Sequence, residues 1–328
     1  MKKRILALAI TATALLAGCG NKTIKVNPNK EKYLVGICQL TQHEALDAAT
    51  NGFKEGLTAE LAQRNRKVDF DFKNGSGDVE ICGQAISTFK SEDVDLIMCN
   101  ATPAVQTAFA ATEEIPILGT SVTDYGVATN LAMKDGKSGT NLSGTSDLAK
   151  IEDQIDLMLS LLPSSVKKVG ILYCSAEANS KFQVDKAEAR LIEKGITVEK
   201  HSFSESTDIS VACNACLSDD AVYIPTDNTV ADLGDYVKTA VADKGVPIFA
   251  GESGICKKCG FATLSIDYFN LGKITGKMAA EILTGEKDIR EYEIQYDTNP
   301  AKFYNKSIWD SLKSQGKLGE VPEGFTAL

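Results

Sequence analysis

Positive charge, histidine and tryptophan are all scarce in this chain of 328 residues. Its 35 lysines and arginines are outnumbered by 44 acidic residues, and it holds two histidines, His43 and His201, and one tryptophan, Trp309. A net charge of −9 argues against nucleic acid as a partner. Catalytic signatures are missing as well. There is no Gly-x-Ser-x-Gly elbow and no His-Glu-x-x-His, and Gly75-Ser76-Gly77 lacks the third glycine and the lysine of a phosphate-cradling loop. A hydrolase or nucleotide enzyme would need a base or a cradle that this sequence does not offer, so no catalytic residue and no cofactor are expected. After the first sixteen residues no apolar run is long enough to cross a bilayer as a helix.

Lys2, Lys3 and Arg4 precede an apolar run from Ile5 to Leu16, the pattern of a targeting segment that is removed rather than folded. The run ends in Leu16-Ala17-Gly18-Cys19, which resembles the bacterial lipobox. That resemblance implies a signal peptide at 1–18 and lipidation of Cys19 by diacylglyceryl and fatty acyl chains such as palmitate. The expected location is the extracytoplasmic face of the cell membrane. Two or three chains, at about 0.8 kcal/mol per buried methylene, anchor a protein without a spanning helix. Without its three leading positive charges the chain has 32 basic against 44 acidic residues, a net charge of about −12. Residues 19–32 are polar, carry Pro28 and show no periodicity, so they read as a flexible tether.

Eight further cysteines include Cys213-x-x-Cys216 and Cys256-x-x-Cys259. The two pairs stand too far apart for a zinc ribbon, and neither follows the first strand of a domain as a thioredoxin motif does. They read as structural cysteines, buried or locally bridged, with no metal bound.

From Tyr33 onward, short β-branched runs alternate with amphipathic stretches, the mark of βαβ units and parallel sheets. Strands are expected at 33–39, 68–73, 96–100 and 115–118, then at 169–174, 198–203, 221–224, 247–250 and 261–265. Close to 300 residues exceed what one core organises, which favours two lobes. The Gly-, Asn-, Ser- and Thr-rich stretch 127–147 reads as the first crossing between them. The fold class is α/β, with a first lobe of 33–144 and 266–288 and a second of 145–265 and 289–328.

Ligands of parallel sheets sit at the carboxyl ends of the strands. The loops there offer hydroxyls, amides and carboxylates with little basic charge: Gln39 to His43, Asn74 to Asp78, Asn100 to Pro103, Thr120 to Asp124, Ser175 to Ser180 and Pro225 to Thr229.

At these loops the chain resembles the ABC transporter substrate-binding proteins whose characterised members take up aromatic amino acids. The resemblance runs through Gly36-Ile37-x-Gln39 with His43-x-Ala45-Leu46-Asp47, Ala101-Thr102-Pro103-Ala104 and Val122-Thr123-Asp124. It continues in Asn141-Leu142-Ser143-Gly144, Glu177-x-Asn179-Ser180, Pro225-Thr226-Asp227-Asn228 and Asp267-Tyr268. It implies a type I periplasmic-binding-protein fold closing by a hinge on its solute, with an ABC permease and ATPase as partners. Two departures fall at the cleft: Ser76 where the family has a larger polar residue, and Tyr125 where it has proline. A sensor passing its signal to a membrane partner, or a receptor for a nucleoside or other polar solute, is the alternative.

The expected ligand-binding residues are Thr41, Gln42, His43, Ser76, Ala101, Thr102, Thr120, Ser121, Glu177, Asn179, Thr226, Asp227 and Asp267. Thr102 and Ser121 suit a carboxylate, as hydroxyls beside helix N-termini do. Asp227 suits an ammonium group, with helix capping as the alternative use of its side chain. Tyr125, Phe182 and Tyr268 offer rings for stacking, and Trp309 reads as packing.

Overall fold

The computed structural model describes residues 23–328. The expected signal peptide and lipidation site, residues 1–18 and Cys19, lie outside the described residues. Among the described residues thirteen strands form two sheets. In the first lobe they are β1 (Lys32–Gln39), β2 (Lys67–Asn74), β3 (Leu96–Asn100), β4 (Ile117–Val122) and β5 (Leu142–Ser146). The second lobe has β6 (Lys168–Cys174), β7 (Thr197–Phe203), β8 (Ala221–Ile224), β9 (Ile248–Ala250) and β10 (Ala262–Ser265). Three short strands follow: β11 (Gln295–Tyr296), β12 (Ala301–Tyr304) and β13 (Phe325–Ala327). The orders are β11-β5-β4-β3-β1-β2 and β13-β12-β10-β9-β8-β6-β7, every pair parallel except β10 with β12.

The central strands β3, β4 and β8 are buried throughout, as continuous apolar runs covered by helices on both faces should be. Because connections cross over through helices, each lobe presents the carboxyl ends of its strands, and the loops that leave them, to the other lobe.

One strand sits in the stretch expected as a crossing, and another lies in a segment expected in the second lobe. β5 runs to Ser146 inside the first sheet, and β11 pairs with β5 while Ile289, Tyr292 and Ile294 fill first-lobe cores. The crossings read at 144/145 and 288/289 therefore fall after Ser146 and after Tyr296.

Residues Ile24 to Lys30, expected as tether, are docked on the first lobe. The Lys25 amide donates to the Glu114 carbonyl at 2.8 Å, Lys30 pairs with Asp95 at 2.5 Å, and Ile24 packs against the core.

The helix Glu44–Gln63, which leaves the β1 loop, crosses the helix Tyr268–Leu283, which returns the chain from the second lobe, at very close range. A Cβ on Gly52 would lie 2.0 Å from the Phe269 carbonyl oxygen, and one on Gly272 2.0 Å from that of Ala49. Only glycine permits backbones to approach so near. In the second lobe Trp309 is 1 % exposed, sits edge-on to Phe261 and Tyr304, and donates to the Gly319 carbonyl. Its packing role is clear.

Candidate functional site

The two lobes touch through their strand-end loops. Thr41 Oγ1 donates to Asp232 Oδ2 at 2.8 Å, His43 Nε2 lies 3.4 Å from Asn228 Oδ1, and Gln183 Nε2 donates to Thr123 Oγ1 at 3.4 Å. Lys257 pairs with Glu44 at 2.9 Å on the rim. This is a closed arrangement.

A buried polar network behind the first-lobe wall fixes these loops. Gln39 Nε2 donates to the Thr41 carbonyl and to Asp47, Thr50 donates to Gln39 Oε1, and Asn100 donates to the Leu46 carbonyl and to Thr50. Ala101, at the end of β3, has φ 90° and ψ 154°, and Ser121, at the end of β4, has φ 54°. Such conformations are costly outside glycine and collect where a structure must aim groups at a ligand. The Thr102 and Ser121 hydroxyls they present are buried and have no partner. The same is true of His43 Nδ1 and of Asn179 Oδ1 on the opposite lobe. A buried polar group without a partner costs about 1–3 kcal/mol, so four of them on facing loops mark a surface that a polar ligand would satisfy.

Other expected residues fare differently. Thr120 bonds inward to Thr145, part of a hydroxyl chain reaching Thr275. Gln42 and Ser76 are exposed at the cleft edge, and Asp267 is exposed at the hinge, where its side chain caps the helix Tyr268–Leu283. Glu177 accepts from the amides of Asn228 and Thr229 and from the side chains of Asn179, Asn228 and Thr229. Thr226 bonds through its amide and hydroxyl to Gln183 Oε1.

Asp227 is the main revision. Its Oδ1 accepts from the Val230 amide, capping a short helix, and its Oδ2 accepts from the Cys174 amide and Ser180 Oγ. Both oxygens are engaged within one lobe, so the capping alternative describes it. Burial, with Glu177 nearby, pushes its pKa up to about 7.

Sequence reasoning overlooked two carboxylates. Glu252 caps the helix Ser253–Lys258 through the Gly254 and Ile255 amides, and burial raises its pKa while His43 across the cleft opposes that. Asp147 follows β5 directly, and its main-chain amide donates to the Val122 carbonyl. Its oxygens accept from Thr123 Oγ1 and Tyr268 Oη, each at 3.1 Å, and burial pushes its pKa up to about 6. A lone acid at the end of the unrecognised strand β5 was the available signal. The rings proposed for stacking are otherwise occupied: Tyr125 and Tyr268 are buried, and Phe182 carries Lys186 over its face on an outer surface.

All eight described cysteines are buried and free, and burial raises the thiols of Cys213, Cys216, Cys256 and Cys259, which disfavours the thiolate that metal binding needs. Among the described residues one group, His201, Cys216 and Asp219, has the donors of a metal site. Asp219 already receives His201 Nε2 at 2.6 Å and Lys168 Nζ at 3.1 Å.

A family model, described as ABC transporter substrate binding protein, matches residues 34–316. The chain belongs to this family. Substrate-binding proteins of ABC transporters generally bind solutes rather than transform them, and they act outside the cytoplasm; no described helix is long and apolar enough to cross a membrane. This binding protein is 32 % identical over 332 residues to the tyrosine-binding protein of Clostridioides difficile (strain R20291), covering 95 % of each chain. Among solved structures it resembles the ABC domain in complex with L-Trp from Streptococcus pneumonia: TM-score 0.80, 28 % identity, 89 % of this chain and 99 % of that one. It also resembles the ligand-free, open form of a substrate binding protein with adhesive properties from Clostridium difficile. There the TM-score is 0.67 at 32 % identity, over 90 % of this chain and 99 % of that one. The better superposition on the ligand-bound relative, despite lower identity, agrees with the cross-lobe bonds. The fold is that of type I periplasmic binding proteins.

Proposed function

We propose that this protein is the lipid-anchored receptor of an ABC importer, which closes on an aromatic amino acid and hands it to a membrane permease driven by an ATPase. It would carry out no chemistry on its solute. The observation that carries the reading is the set of unpartnered Thr102 and Ser121 hydroxyls, aimed by strained backbone, across from the unpartnered Asn179 Oδ1 of the other lobe. Hydroxyls suit a carboxylate, buried acidic oxygens suit an ammonium group, and among the described residues no lysine or arginine joins the unpartnered groups on these loops to await a phosphate. The relatives supply the aromatic preference, since one is a tyrosine-binding protein and another was crystallised with L-Trp.

Ala101, Thr102 and Ser121 would hold the carboxylate from the first lobe. His43 and Thr41 on that lobe, with Asn179, Glu177, Thr226 and Asp227 on the other, would line or support the closed pocket. Calorimetric titration of tryptophan, tyrosine, phenylalanine and leucine into the mature protein tests this. The aromatic amino acids are expected to bind at least tenfold more tightly than leucine. Binding of a nucleoside or sugar with no amino acid bound would overturn the assignment.

A further inference from the structure

Four carboxylates are buried along the cleft, and their hydrogen bonds divide them. Glu177 takes main-chain amides and side-chain donors of its own lobe, Asp227 takes two amides and a hydroxyl, and Glu252 takes the two amides at the start of a helix. Amide donors in a capped loop or helix end neutralise much of a carboxylate's charge and leave few lone pairs free. Asp147 is different. From other residues it receives only the hydroxyls of Thr123 and Tyr268, at 3.1 Å each, long for a hydroxyl on a carboxylate. Among the described residues no lysine, arginine or histidine is in ion-pair distance of it, although it is only 4 % exposed.

Its place in the fold is as telling. Asp147 stands on the first crossing, Tyr268 opens the helix that follows a second crossing, and Thr123 is also bonded by Gln183 of the second lobe. Its main-chain bond to Val122 and its side-chain bond to Thr123 tie it to the two residues that follow Ser121, whose free hydroxyl is assigned above to the carboxylate-binding face. A single α-amino acid carries its two charged groups on one carbon, so an anion site and its cation partner must lie close together. Asp147, bonded to the two residues that follow Ser121, meets that condition.

Resting on the amino-acid reading above, we propose that Asp147 is the residue that pairs with the ligand's ammonium group, and that its otherwise unpaired charge makes the cleft demand a cationic ligand. Isolated burial of a carboxylate is costly, and an arriving ammonium removes that cost at closure. Asp227 then shapes the second-lobe loop without meeting the ligand's charge.

The test is calorimetric titration of wild type, Asp147→Asn and Asp227→Asn with L-tryptophan and L-tyrosine, and with 3-indolepropionic acid, which lacks the amino group. Asp147→Asn is expected to lose about 30-fold to several-thousand-fold in amino-acid affinity, the range for breaking a buried charge pair. It should bind the deaminated acid as well as or better than wild type does. Thermal unfolding checks the fold, and Asp147→Ser, equally uncharged, replaces the Asn variant if that one does not fold. If wild type binds the amino acids and both Asp147 variants keep affinity within threefold, or if Asp227→Asn loses far more than Asp147→Asn, the assignment of Asp147 is overturned while the amino-acid reading stands. Should wild type bind no amino acid at all, both fall together.

Discussion

Ala101 is held in a region of backbone space that is nearly reserved for glycine. Replacing it by glycine should relieve strain of about 1–3 kcal/mol, less the extra chain entropy glycine loses on folding, for a net gain of about 1 kcal/mol. Urea denaturation of Ala101→Gly measures this, and a loss of stability would contradict the strain. The buried acids make a second expectation. Burial raises Asp147 to about 6 and Asp227 to about 7, so the folded protein holds these protons more tightly than the unfolded chain does. Their contribution is fully present below about pH 4 and is lost as pH rises through 6 and 7; every tenfold tighter hold on a proton is worth about 1.4 kcal/mol. Carboxyls lowered by partners, such as Asp156 beside Arg190 and Glu286 beside Arg64, act in the opposite sense only at lower pH. Denaturation between pH 4 and 7.5 should therefore show falling stability, with a smaller fall in Asp147→Asn; equal slopes would be evidence against it. Thr102 and Ser121 stand in the sequence among the strand-end hydroxyls that an alternating βαβ pattern directs toward a cleft, but so does Thr120, which bonds inward to Thr145. Asp227 and Asp147 cannot be told apart that way. Which acid keeps free lone pairs depends on amides supplied from Cys174 and Val230, far from one another in the chain.

At the scale of elements, nine of the thirteen strands are announced by β-branched runs, whereas β5, Leu142-Ser-Gly-Thr-Ser, is not. Its residues are small and hydroxylated because Gly144 and Gly119 face the Tyr125 hydroxyl, where a Cβ would come within 2.5 Å, and because Thr145 bonds Thr120 and Thr275. Polar bonds and ring packing take the place of aliphatic burial there, and a hydrophobic pattern cannot register that. The crossed helices Glu44–Gln63 and Tyr268–Leu283 escape in the same way, since glycine spacing reports contact only once the two helices are known to meet. Gly272→Ala would push a methyl group into the Ala49 carbonyl and should cost about 1–3 kcal/mol or more. Because this crossing joins the β1 loop to the hinge helix, weaker ligand binding should accompany the lower denaturation midpoint. Unchanged stability would mean that the helices can slide apart freely.

For the molecule as a whole, closure depends on bonds that exist only when the lobes meet. The Thr41 to Asp232 bond is partly exposed, so Thr41→Val should weaken amino-acid binding by about 3- to 10-fold, mainly through faster release, with little change in unfolding of the free protein. Stopped-flow dissociation checks this; a slower association rate with unchanged release would point to a role in encounter instead. Cys19→Ser should free the protein from the membrane or leave the precursor unprocessed, as cell fractionation would reveal.

With the lipid anchor proposed at Cys19, the docking of Ile24 to Lys30 would limit how far the folded body could stray from the bilayer. A free tether of residues 19–32 would let the folded body roam about 45 Å from the lipid, but with Ile24 already fastened only five links remain, or about 17 Å at full stretch. The fastening points, Glu114 and Asp95, lie at the strand starts, on the side of the first lobe opposite the cleft. An anchored copy would thus be held like a moored float, its base kept near the bilayer and its mouth turned away, and it would have to roll before presenting a loaded cleft to a permease.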